Sequence, residues 1–185
     1  MERALIAAGS VPVLERPEEV APLVTELIAG ERLVVLERRG GWLRVVAPGH
    51  ATGLDPRGYP GWARAGGLVD APGWEPNLAV VAPNGAGLPL GARLRREGKG
   101  PASPTAAWRR WSRGPRSPRA TPWKRRRSGS PANCSACRTG WGGTDSTVGM
   151  DCSGLVFRVM GLLGVVAPRD ADDRFERAPF GSRES

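Results

Sequence analysis

A thiol held between an acid and a hydroxyl at the mouth of an apolar stretch, Asp151-Cys152-Ser153, limits what this chain can build more than any other feature. Gly142 and Gly143 lead towards it, and Gly154 follows it. Beyond it, Leu155, Val156, Val159, Leu162 and Leu163 recur at i, i+1, i+4, i+7 and i+8, which predicts one face of a helix packed on something. Asp151 or Ser153 caps the first turn of such a helix. Cys152 then stands where main-chain N–H groups and the positive end of the helix dipole favour thiolate over thiol, which makes it a candidate nucleophile. A small buried cysteine at a helix start is the commoner arrangement. It accounts for neither the glycine approach nor the acid and hydroxyl on either side.

Three runs extend the pattern: Trp141-Gly142-Gly143, then Asp151-Cys152-Ser153-Gly154-Leu155-Val156, then Pro168-Arg169-Asp170. In this order they resemble the signature of the NlpC/P60 cysteine peptidases, which cut peptides derived from the bacterial cell wall. The resemblance covers Trp141 to about Phe175. It implies that Cys152 attacks the scissile carbonyl, that a downstream His acts as base, and that a third polar residue orients that His. It also implies that Asp151 and Ser153 hold the free amino end of a short murein peptide.

Length and composition restrict less. A chain of 185 residues holds one ordinary domain or two small ones. No stretch approaches the roughly 20 apolar residues of a membrane span. Met1-Glu2-Arg3-Ala4 lacks the charged-then-apolar layout of a secretory leader, so a cytoplasmic address is expected, with the wall or exterior as the address if the true start lies upstream. Three cysteines, an odd count, define no disulfide framework.

Residues 11 to 69 read as a small β-barrel lobe. Val11, Val13 and Leu14 open it, and Leu23 to Ile28 lead to Ala29-Gly30-Glu31. Leu33 to Leu36 form a strand that turns at Gly40-Gly41 and is answered by Trp42 to Val45 as a hairpin partner. After a loop over 47–60, Gly61 to Arg64 supply a short strand, and Leu68-Val69 close the lobe. This order looks like a bacterial SH3-like domain, and Gly58-Tyr59-Pro60-Gly61-Trp62 resembles the first such domain of NlpC/P60 enzymes that trim murein peptides. The resemblance makes Tyr59 a wall of the substrate site; the plainer alternative is a loop aromatic on a proline turn. Residues 73–100, with a Pro-Asn-Gly turn between short apolar runs, read as the first half of a second SH3-like unit.

Residues 101–140 are written differently. They hold ten basic residues and no acid, so the other residues carry 17 basic against 18 acidic side chains and this segment supplies the whole +9 excess. Neither helical nor strand periodicity is present, and on composition the segment is expected to be disordered. Lys124 to Arg127, with Trp108, Trp111 and Trp123 interleaved, suit a nucleic-acid arm. Cys134 and Cys137 form a C-x-x-C without a second pair or a spare His, which leaves the metal reading weak; no cofactor or metal is implied. The preferred reading is a segment translated out of frame. Written in G/C-rich codons, the run from Asn133 to Gly140 reads ELLGVPYR in the neighbouring frame, which completes the family's Tyr-x-Trp-Gly-Gly entry at Trp141.

The expected fold is α+β: an SH3-like β-barrel lobe over 1–72, the start of a second unit over 73–100, a basic segment over 101–140, and the N-terminal part of a papain-like NlpC/P60 domain over 141–185. By resemblance, the chain ends at Ser185 before the strands that carry the family's His and third polar residue. The apolar face of the Cys152 helix then lacks its sheet. His50, the only histidine, lies in a Gly-rich loop and is expected to be solvated rather than to serve as base. The expected activity is hydrolysis of γ-D-glutamyl-diamino acid bonds in murein-derived peptides, largely lost in this chain. The alternative is a non-catalytic SH3-like module that binds wall fragments or polyanions. Oligomeric state is not legible.

Overall fold

The computed structural model describes residues 3–81, 87–96 and 141–177. The basic segment, Cys134, Cys137 and the out-of-frame reading lie outside the described residues.

Strand is the commonest regular element among the described residues. Seven strands pair antiparallel in one curled sheet: β1 (Arg3–Ala7), β2 (Val11–Leu14), β3 (Leu23–Leu27), β4 (Arg32–Arg39), β5 (Trp42–Ala47), β6 (Tyr59–Arg64) and β7 (Leu68–Val69), in the order β3-β2-β6-β5-β4-β1-β7. Period-2 alternation places Leu5 and Ala7, Val11 and Val13, Leu33 and Val35, and Leu43, Val45 and Ala47 in one core with Leu27, Tyr59 and Ala63. Gly40, at φ +59°, turns β4 into β5 so that Arg39 faces Trp42. Register shifts between Val13 and Leu14 and between Val35 and Glu37 mark bulges, which bend a flat sheet into a curl.

The sequence reading found β2 to β7 and missed β1, whose residues were weighed only as a possible leader. β1 pairs with both β4 and β7 and so closes that side of the lobe.

A two-residue hairpin follows, β8 (Leu78–Ala79) with β9 (Arg93–Leu94). Ala92 packs with Ile28 and Ala29 in a second small core. The Arg93 N–H donates to Ala29 O at 2.8 Å, and a Cβ on Gly30 would stand 2.0 Å from Arg93 O. Only glycine admits this approach, and Gly30 also takes φ +82°.

The rest of the described chain comprises the hairpin β10 (Thr144–Asp145) with β11 (Gly149–Met150), then α1 (Cys152–Leu162) and α2 (Ala171–Arg177). Helix α1 stops at Gly164, φ +77°, where Val165 N donates back to Met160 O at 2.9 Å, the closure expected of a left-handed C-terminal residue. Its buried residues are Gly154, Phe157 and Arg158. Leu155, Val156, Val159 and Leu163 are exposed, Leu163 at 71%. The apolar face named by the spacing is exposed among the described residues, in line with the expectation that it lacks its sheet, and the opposite face, with a charged residue in it, meets the first lobe.

No described helix is long and apolar enough to cross a membrane.

Candidate active site

Cys152 is the first residue of α1 and is exposed. Asp151 is the N-cap, with extended backbone (φ −80°, ψ 170°) and a side chain that accepts from Gly154 N. Its carboxylate does more than cap. Oδ1 also accepts from Ser153 Oγ at 2.8 Å, and Oδ2 accepts from Gly142 N at 2.8 Å. Arg169 grips the same group: Nη2 reaches Oδ2 at 3.0 Å, and Nη1 reaches Ser153 Oγ at 2.6 Å. Burial pushes the Asp151 carboxyl up, but the Arg169 guanidinium and the Gly154 and Ser153 donors outweigh it and hold the pKa below the usual carboxylate value.

The glycines have steric reasons. Gly142, at φ +78°, lies so close to β3 that a Cβ would stand 2.4 Å from Leu23 O. A Cβ on Gly154 would stand 2.4 Å from Gly143 O. The Trp-Gly-Gly run thus lies between β3 and the helix start, and Trp141 itself is 87% exposed.

Tyr59 begins β6 and is buried rather than looped out. Its hydroxyl donates to Asp170 Oδ2 at 2.7 Å. Burial and the Asp170 carboxylate both raise its pKa. Asp170 follows Arg169, whose N–H donates to Ala51 O at 2.7 Å beside a parallel bridge between Ala51 and Pro168. Asp173 Oδ2 accepts from Gly53 N at 2.7 Å and Thr52 Oγ1 at 3.1 Å. The Pro168-Arg169-Asp170 run is therefore a strap from the first lobe to the helix start, and it brings Tyr59, Asp151 and Ser153 into one connected set around Cys152. Arg174, unnoticed in the sequence, adds to it by donating from Nη2 to Ser153 O at 2.9 Å and Arg169 O at 3.1 Å.

His50 corrects an expectation. It is 1% exposed, not solvated. Its Nδ1 lies 2.9 Å from Thr25 Oγ1 and its Nε2 3.1 Å from Glu31 Oε2, and its ring packs on Phe157 with centroids 4.7 Å apart. Burial depresses its pKa, with Glu31 opposing only in part. Nε2 carries the proton, because its partner is a carboxylate, and Nδ1 accepts from Thr25. Phe157 is five residues after Cys152, about 7.5 Å along the helix and about 140° around it. The imidazole thus serves the inner face of α1, away from the thiol.

Among the described residues, no three His, Cys, Asp or Glu side chains group as metal ligands.

Residues 13–50 match the family model described as the bacterial dipeptidyl-peptidase Sh3 domain. In fold the chain is similar to a crystal structure of an NlpC/P60 family protein from Bacillus cereus ATCC 10987, with a TM-score of 0.64 over 95% of this chain and 77% of that one, at 15% identity. By sequence the chain is similar to the gamma-D-glutamyl-L-lysine dipeptidyl-peptidase of Bacillus subtilis (strain 168), 40% identical over 40 residues. That match spans 22% of this chain and 14% of the relative.

Proposed function

We propose that this chain carries the nucleophile end of an NlpC/P60-type cysteine peptidase acting on γ-D-glutamyl-diamino acid bonds of cell-wall peptides, and that as given it turns over little or no substrate. The observation that carries the reading is the exposed Cys152 at a helix start whose cap, Asp151, is clamped by Arg169 and Ser153. The Sh3 match and the similarity to a dipeptidyl-peptidase supply the substrate class.

In such a reaction the Cys152 thiolate adds to the scissile carbonyl carbon. The oxyanion is met by helix-start N–H groups, the base that took the thiol proton returns it to the departing amine, and the resulting thioester is hydrolysed by water to the acid and the free thiol. Asp151 engages Gly154 through its side chain and Leu155 through its carbonyl, so the N–H groups of Cys152 and Ser153 are the first-turn donors free for an oxyanion among the described residues. Asp151, Ser153 and Tyr59 are read as the pocket for the substrate amino end. A ligand ammonium there shares Asp151 with Arg169 and Tyr59 with Asp170. The single imidazole of this sequence is committed to Thr25 and Glu31, so it is not the group that handles that proton.

Mass-mapped alkylation with iodoacetamide tests the nucleophile. Cys152 should react faster than a cysteine in the urea-unfolded chain, and a rate no faster than that removes the argument for a primed thiol. A non-catalytic module that binds wall fragments is the second reading, favoured by the Sh3 match to residues 13–50. Wall-fragment binding that survives Cys152 alkylation supports it, and a steep fall with added salt points to a polyanion.

A further inference from the structure

Behind the nucleophile helix lies a buried polar group that the chemistry above does not use. Arg158 of α1 is 4% exposed, and its guanidinium forms an ion pair with Glu31, with Nη2 at 3.1 Å from Oε2. The remaining donors are spent on Thr144 Oγ1 at 2.6 Å, Thr144 O at 3.2 Å and Glu26 O at 3.2 Å. Glu31, 5% exposed, accepts in addition from Ile28 N at 2.9 Å and from His50 Nε2. Glu26 Oε2 receives Thr144 N at 3.1 Å and Asp145 N at 3.0 Å. Glu26 comes from β3 and Glu31 from the turn after it, the cation from the nucleophile helix and the threonine from β10, so parts of the chain far apart in sequence meet at one fork.

Stability alone does not explain this choice. Desolvating two charges offsets most of their attraction, and well-packed apolar residues of similar volume hold two elements together equally well. What an apolar contact does not give is a single rotation and height. A planar guanidinium with five fixed donors, matched to a carboxylate and two carbonyls, has one seat. The seat lies six residues beyond Cys152 on a rigid helix, so the seat sets where the first turn stands.

We propose that Arg158, seated on Glu31, is a positioning residue for the Cys152 site: it locks the rotation of α1 on the Sh3-like sheet and thereby aims the thiol and the first-turn N–H groups. This rests on the reading of Cys152 as a nucleophile, but its test does not use peptide hydrolysis, so absent turnover leaves it standing and a failed test leaves the peptidase reading standing.

The test is the pH profile of Cys152 alkylation in the full chain and in Arg158→Met, Arg158→Lys and the double variant Glu31→Gln with Arg158→Met, each checked for fold by circular dichroism. Removing Arg158 alone strands the Glu31 charge, and that variant can fail to fold; the double variant removes both charges. In the folded double variant and in Arg158→Lys, alkylation of Cys152 at neutral pH should fall about tenfold, because a first turn out of place no longer presents the thiol and its neighbouring N–H groups as the parent does. A merely structural role gives the opposite: once the double variant folds, its profile returns to that of the parent. That return, or a parent-like profile in Arg158→Lys, overturns the proposal. Should the double variant not fold, Arg158→Lys decides between the two outcomes.

Discussion

Replacing Asp151 by Asn isolates what its charge does. Asparagine keeps one oxygen, which can still cap Gly154 and accept from Ser153, but it sets an NH2 where Oδ2 now receives Gly142 N at 2.8 Å and Arg169 Nη2 at 3.0 Å. Two acceptor positions become a donor facing donors. Arg169, 1% exposed, then loses its carboxylate partner. Breaking a buried ion pair from one side costs about 3–5 kcal/mol, and the 18% exposure of the Asp151 side chain argues for the lower end, about 3 kcal/mol. The loss should be local, because the main core of the sheet is built from other residues. Native-state hydrogen exchange reads it: amides of α1 should exchange on the order of 100-fold faster, at about tenfold per 1.4 kcal/mol, while those of β4 and β5 stay within experimental scatter. A change under threefold in α1, or an equal loss in β4 and β5, would refute the reasoning. Acid should mimic the substitution in the parent. The folded-state pKa of Asp151 is depressed, so its contribution is present above the ordinary carboxylate range and is lost as pH falls through the folded value.

His50 and Glu31 both titrate below their unfolded values, so their contributions are likewise present at neutral pH and lost on acidification. The His50 part should begin to fall below pH 6.5, with a slope of at most about 1.4 kcal/mol per pH unit, and His50→Gln should flatten that window in urea melts; an unchanged slope would show that the ring is not buried neutral. Tyr59 is the chain's single tyrosine, so its phenolate band reports that site alone. Burial and Asp170 raise its pKa, so ionisation of the folded chain should be centred well above pH 10; its contribution to stability is full below pH 10 and is lost as pH rises from there through the folded value, and a titration centred on 10 would contradict the Tyr59–Asp170 bond. Asp170→Asn should bring the midpoint down towards 10.

The sheet was legible because its constraints are local. Leu33 and Val35 against Leu43 and Val45, on either side of Gly40-Gly41, announce a hairpin whatever else the chain does. The cap was legible for the same reason: Asp151 acts within three residues of itself. Strand β1 was not, because Arg3 to Ala7 have no short-range partner and pair with residues about 30 and 60 positions on. The inner face of α1 was not legible. Five apolar residues at helical spacing name a face, but what covers that face lies elsewhere, and the side that meets the sheet carries Arg158, whose partner Glu31 is 127 positions away. Nothing near His50 signals burial either, since its neighbours Gly49 and Ala51 suit an exposed turn and its packing partner Phe157 belongs to the distant helix. One sequence clue was available: Glu26 and Arg158 interrupt otherwise apolar runs, and charges in such places need partners.

The most direct measurement is hydrolysis of a peptide bearing a γ-D-glutamyl-L-lysine bond, followed by mass spectrometry, with the parent chain beside Cys152→Ala. The account expects no product from either protein above the uncatalysed background, together with alkylation of the parent at Cys152. Product released by the parent and abolished in Cys152→Ala would mean that some group other than a free imidazole completes the site.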